Sequence, residues 1–175
     1  MPLLGTYRGQ ALPYYGRLII ADPSLSGAQE VDFQQCVTDS EDAIIGASRW
    51  RVALKAAQDS LQIVVNLELW NSTPNTEAGE DWEGRRELTL EFPGGRLCVE
   101  NISDGPIPLS PGDIEAIDLP QGPGMYRITA SHRGRDQAAA AAQELWDADE
   151  LEEGSEAEYA KLAGPEQYLL RIWPA

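Results

Sequence analysis

The chain has 175 residues, 42% of them hydrophobic, with five tryptophans and a formal net charge of −16. That size and apolar content exclude a disordered chain and allow one domain whose core needs neither metal nor disulfide. The charge argues against direct contact with nucleic-acid phosphates, and no window reaches the roughly 18 consecutive apolar residues of a membrane helix.

In chain order, the start at Met1–Tyr7 lacks the basic end and long apolar run of a signal peptide. A cytoplasmic protein is the expectation. The first expected strand is Arg17–Ala21, bounded by turn residues on both sides. Ala43–Ala47 and Arg49–Leu54 follow. In the second of these Trp50, Val52 and Leu54 alternate with Arg49, Arg51 and Ala53, which predicts one core face and two solvent-facing arginines. Leu61–Trp70 is the strongest strand, with apolar residues at every odd position from Leu61 to Leu69. After the polar loop Asn71–Gly84, the strands Glu87–Phe92 and Arg96–Glu100 flank Pro93–Gly95 and read as a β-hairpin. Ile114–Leu119 and Met125–Ala130 complete the strand-rich part. Cys36 and Cys98 stand at apolar, strand-like positions and are expected to be buried free thiols.

The last third changes character. Gln137–Trp146 contains five consecutive alanines and predicts a helix. Glu156–Ala163 predicts a second, with Ser155 as N-cap, Glu158 completing the capping box and Gly164–Pro165 as its stop. Glu166–Ala175 predicts a closing strand, antiparallel to Met125–Ala130. The expected fold is mainly β: one antiparallel β-sandwich domain over residues 1–175, with one or two short helices in an acidic insert at 136–165, before the last strand.

Charge is the most informative feature. Between Asp136 and Glu166 lie ten acidic residues and one base, Lys161, so −9 of the −16 sits in under a fifth of the chain. A surface of that kind attracts basic partners and speeds their encounter. The candidate partner-binding residues are Trp146, Asp147, Asp149, Glu150, Leu151, Glu152, Glu153, Glu156 and Glu158, where aromatic and aliphatic anchors interleave with carboxylates. A second acidic loop offers Glu77, Glu80, Asp81, Trp82 and Glu83.

Signals for chemistry are weaker. His132 is the sole histidine, between arginines just past a strand, and reads as an exposed loop residue. Asp147–Gly154 has carboxylates at the first and third positions of a calcium loop, but its glycine falls at the eighth position instead of the sixth. The glycine-rich turns lack the ending of a phosphate loop. No catalytic residue, metal ligand or cofactor is expected. Two alternatives stay open beside a binding role: a calcium-binding or carboxylate-based enzyme module, and an assembly subunit whose acidic loop only solubilises it.

The stretch Ile117–Ile128, followed by Glu166–Ala175, resembles a bacterial group related to competence protein J, acidic proteins that inhibit a cognate nuclease. Similar small domains occur among toxin-immunity proteins. The order of strands agrees over most of the chain, and the acidic insert from Asp136 to Pro165 departs from the group's pattern. The resemblance implies an inhibitor whose partner is a basic protein toxin, most naturally a nuclease, and carries over no active-site residues.

Overall fold

A computed structural model describes residues 2–25, 30–75, 81–149 and 163–175. Among these, twelve strands and two α-helices follow in the order β1 (Leu3–Ala11), β2 (Arg17–Ala21), α1 (Glu30–Ala43), β3 (Ile45–Ala47), β4 (Arg51–Lys55), β5 (Gln62–Trp70), β6 (Gly84–Phe92), β7 (Arg96–Asn101), β8 (Gly105–Pro106), β9 (Leu109–Ser110), β10 (Ile117–Asp118), β11 (Gly124–Arg133), α2 (Arg135–Asp149) and β12 (Ala163–Pro174). One sheet runs β6, β11, β12, β5, β1, β9. The other runs β10, β7, β2, β4, β3, with β8 beside β7.

The sandwich follows from strand alternation. Ile63, Val65, Leu67, Leu90, Phe92, Tyr126, Ile128, Leu170 and Ile172 project from the six-stranded sheet onto Leu18, Ile20, Val52, Leu54, Leu97 and Val99 of its partner, all fully buried in one core. Phe92 meets Tyr126 edge to face at 5.8 Å. The closing strand β12 pairs antiparallel with β11 as expected, from Tyr126 opposite Pro174 to Arg133 opposite Gln167. Its other neighbour, β5, runs parallel to it, so this sheet is mixed.

Several sequence expectations change. Glu87–Phe92 and Arg96–Glu100 do not form a hairpin: β6 pairs with β11, whereas β7 pairs with β2 in the other sheet. The turn between them crosses the sandwich and is held by Asp22, whose carboxylate accepts the N–H of Gly94 (2.6 Å) and of Ser24 (2.9 Å). Ile114–Leu119 contributes only the two residues of β10. The strand β1 was not expected. It lacks apolar alternation, and Gly9 stands where a Cβ would lie 2.8 Å from Ile107 and 2.9 Å from Leu109.

Helix α1 was not expected either, and Cys36 lies on it instead of on a strand. Its inward residues Asp32, Cys36 and Ser40 recur every fourth position, so the buried stripe is largely polar and gives no hydrophobic period. Asp32 binds Arg51 of β4 at 2.8 Å with both side chains nearly buried, so Arg51 does not face solvent. Phe33 and Val37 pack with Cys36 on Ile19, Ala21 and Ala53, covering the outer face of the smaller sheet. Trp50 precedes β4, and its indole N–H donates to Glu91 at 3.1 Å. Cys36 and Cys98 are free and fully buried, and burial pushes the Cys36 thiol up to about 11. Among the described residues no helix is long and apolar enough to cross a membrane.

Helix α1 sits so close to β3 that a Cβ on Gly46 would lie 2.2 Å from the carbonyl oxygen of Cys36 and 2.3 Å from the nitrogen of Ser40. Gly46→Ala must push the helix off the sheet. A loss of about 1–3 kcal/mol is expected, typical of overpacking, and urea unfolding measures it.

Candidate functional site

The acidic segment leaves the sandwich at the corner between β11 and α2. Gly134 turns that corner at φ 74°, and a Cβ there would lie 2.2 Å from the carbonyl oxygen of Pro165. Arg135 then opens α2 and meets Glu166, a carboxylate with no exposed surface. Glu166 Oε1 accepts hydrogen bonds from Arg135 Nη1 (3.0 Å) and the Ala57 N–H (3.0 Å), and lies 2.8 Å from the Tyr168 hydroxyl. That hydroxyl is also 2.8 Å from the Lys55 carbonyl and accepts from Arg135 at 2.8 Å. Burial raises the Glu166 carboxyl above the usual carboxylate range despite these donors, and raises the Tyr168 phenol too. The network joins the start of α2, the strand β12 and the turn after β4.

From this anchor α2 packs against β12, with Ala138 and Ala142, one turn apart, buried. Four residues on, the helix exposes Trp146, 58% accessible, whose indole N–H donates to Ser60 Oγ at 2.9 Å. Ser60 belongs to the turn between β4 and β5, where Gln58 Oε1 accepts the N–H of Ser60 (2.8 Å) and of Leu61 (2.6 Å). Asp147 is exposed and accepts from Gln143 at 2.9 Å, Leu145 is half-buried, and Asp149 ends the helix. The structure therefore brings Trp146, Asp147 and Asp149 to one helix end. Glu150, Leu151, Glu152, Glu153, Glu156 and Glu158, and the helix expected at Glu156–Ala163, lie outside the described residues.

In the second acidic loop, Glu77 and Glu80 also lie outside the described residues. Asp81 is exposed. Trp82 is half-buried beneath the Arg133 guanidinium, 4.6 Å from ring centre to carbon. Glu83 is committed to the corner: its carboxylate accepts the Gly134 N–H at 2.8 Å and its own N–H donates to the His132 carbonyl at 2.9 Å. Trp82 and Glu83 thus brace the corner beside a groove, and the described part of the loop is not a continuous acidic patch.

His132 is not an exposed loop residue. It lies in β11, half-buried against Gly84, its ring 6.5 Å from that of Tyr168 and its Nδ1 buried without a hydrogen-bond partner among the described residues. Burial depresses its pKa, Arg135 depresses it further, and Glu83 opposes them. Among the described residues no group of three or more His, Cys, Asp or Glu side chains could hold a metal ion.

No family model matches the chain, and no curated protein matches it. Two solved structures do. One, described as crocagin biosynthetic gene J, aligns with a TM-score of 0.53 and 16% identity over 98% of this chain and 99% of its own. The other is ComJ from Bacillus subtilis, described as an inhibitor of the DNA-degrading activity of NucA, with a TM-score of 0.50 and 10% identity over 99% and 98%. The chain has a ComJ-like fold. At these identities the likeness is one of architecture.

The Arg135–Glu166–Tyr168 anchor was missed in the sequence, yet one signal marked it. Glu166 is in phase with Tyr168, Leu170 and Ile172, so period-two alternation alone sends its carboxylate inward. Arg135→Met should destabilise the fold by about 3 kcal/mol, because it leaves a buried carboxylate without its cation, and adding Glu166→Gln should recover part of that loss. Urea unfolding of the single and double variants measures both.

His132 gives a pH dependence of known sign. Its folded-state pKa lies below the ordinary value near 6.5. The unfolded chain then takes up the proton first, and stability contributed by the neutral imidazole is lost as pH falls below about 6.5. The melting temperature of His132→Phe should fall less than that of the parent between neutral pH and about pH 5. Parallel curves would contradict the assignment.

Proposed function

We propose that this protein is a cytoplasmic, non-enzymatic inhibitor of the immunity type, a single domain that binds a basic protein toxin, most naturally a nuclease, and covers its substrate groove. The docking face is the C-terminal end of α2 and the acidic run after it: Trp146, Asp147, Asp149, Glu150, Leu151, Glu152, Glu153, Glu156 and Glu158. The observation that carries the reading is Trp146, a large ring 58% exposed at the point where the densest negative charge begins. An aromatic anchor rimmed by charge is how interfaces concentrate binding energy and steer encounter. The ComJ-like fold supports the inhibitor class, and carboxylates arrayed on a folded body can occupy a groove built for phosphates.

Helix energetics point the same way. The last turn of α2 carries Asp147 and Asp149 and no basic residue. Acids there oppose the helix dipole, at about 0.3–1 kcal/mol each. A sequence selected only for stability would place lysine or arginine at that end. No observation on the described residues favours the calcium, enzyme or assembly readings.

The test is a DNA-degradation assay with a nuclease captured by this protein from its native host. Replacing Asp147, Asp149, Glu150, Glu152, Glu153, Glu156 and Glu158 together by their amides should leave the sandwich folded. It should weaken inhibition by several kcal/mol, at about 1–3 kcal/mol for each charge-assisted hydrogen bond removed. Trp146→Ala alone should weaken it by about 2 kcal/mol or more. Inhibition undiminished in both variants would remove this face as the docking site.

A further inference from the structure

The outer face of the sheet that contains β1, β5, β11 and β12 collects the positive charge that forms no ion pair among the described residues. Twelve arginines and lysines lie among them, and nine form ion pairs. The three that form none there are Arg8 on β1 and Arg127 and Arg133 on β11. Register places all three on one side of the sheet. Arg8 is opposite Asn66, Asn66 opposite Leu169 and Leu169 opposite Ser131, and alternation along β11 then turns Arg127 and Arg133 the same way. In a chain of net charge −16, three cations on one face that form no ion pair among the described residues need an explanation.

Between Arg8 and Arg133 the face is concave. A groove of about 700 Å³ is lined there by Asn66, Trp82, Ser110 and Gln167 together with the two arginines and two acids: Glu68, which Arg171 neutralises at 2.8 Å, and the exposed Asp81. Arg133 is fixed by Trp82 beneath it and by Gln167 Oε1, which accepts from its Nη2 at 2.9 Å. Asn66, whose amide donates to the Tyr168 carbonyl at 3.3 Å, adds a polar side chain to the lining. Arg8 stands exposed. The groove thus combines a fixed and a free cation with amide and hydroxyl groups, and Asp81 is the one acid of its lining outside an ion pair among the described residues.

We propose that this face is a second docking surface, separate from the acidic end of α2, and that it takes an extended, carboxylate-rich segment of a partner protein. Spacing rules out a single small anion. Arg8 and Arg133 are three strand spacings apart, roughly 14 Å, and Arg127 and Arg133 are six residues apart, roughly 20 Å. A nucleic acid matches the charge but carries about one phosphate per 1.7 Å of duplex, so the acidic remainder of the surface would repel it along its length. A polypeptide with a few spaced carboxylates matches the arginines and offers peptide groups to the amides and hydroxyls between them.

The test uses the full chain and a fluorescein-labelled peptide of alternating glutamate and glycine, about seven residues long to span the roughly 20 Å between the arginines at roughly 3.4 Å per residue. Anisotropy at low salt should show binding that weakens at least tenfold in Arg8→Gln/Arg127→Gln/Arg133→Gln. Arg8→Gln/Arg127→Gln, which removes two exposed charges and leaves the Trp82 stack intact, should weaken it part of the way. Nuclease inhibition should be unchanged in that double variant, which separates failure here from failure of the acidic face. Absence of peptide binding, or equal binding by the triple variant, would overturn the proposal. So would equally tight binding of oligodeoxythymidine of matched length, or self-association of the parent that the triple variant loses.

Discussion

A carboxylate with no exposed surface must find its hydrogen-bond donors inside the protein, and Glu166 draws them from three separate parts of the chain. Arg135 brings the start of α2, Ala57 brings the turn that follows β4, and Tyr168 comes from the same strand two residues on. Leaving any of them unmade would strand charge at the end of the sandwich core, so the three segments are fixed together. That junction sets where α2 begins and which way it runs. It also sets where Trp146 and the first acids of the run emerge. The Glu83 carboxylate on the Gly134 N–H closes the same corner from the other side. The placement of α2 is thus a consequence of core chemistry.

Charge is sorted by face in this molecule. The last turn of α2 carries Asp147 and Asp149, next in sequence to the exposed ring of Trp146, and the outer face of the sheet of β1, β5, β11 and β12 holds the three arginines without an ion pair among the described residues. Elsewhere, several ion pairs join separate elements. Asp32 with Arg51 pins α1 to β4, and Asp39 with Arg86 at 2.6 Å links α1 to the edge strand β6 of the other sheet. These pairs tie α1 to both sheets.

What could be read from the sequence followed from how evenly a segment alternates. β5 declares itself because one full face is apolar, β12 because Tyr168, Leu170 and Ile172 alternate, and the alanine run declares α2. The turn at Pro93–Gly95 was visible, but its role was not: local turn chemistry does not say whether the next strand stays in the sheet, and Asp22, 72 residues away in sequence from Gly94, decides that. Helix α1 was hidden because its inward stripe is Asp32, Cys36 and Ser40. Those residues are satisfied by Arg51, by the Phe33 carbonyl at 3.1 Å and by Arg17 at 3.1 Å, and the two arginine bonds exist only once the fold has formed. Of the candidate site, the acidic end and Trp146 were legible as composition. The buried anchor that aims them was legible only as one acid in phase with core residues.

Whether the end of α2 is the docking face is tested most directly by hydrogen–deuterium exchange of the protein, free and bound to its captured nuclease. Binding is expected to slow exchange over residues 143–149 and in the adjoining turn around Ser60, with β6 and the outer sheet face unchanged. Slowed exchange confined to the sheet face, with the end of α2 unaltered, would contradict that assignment.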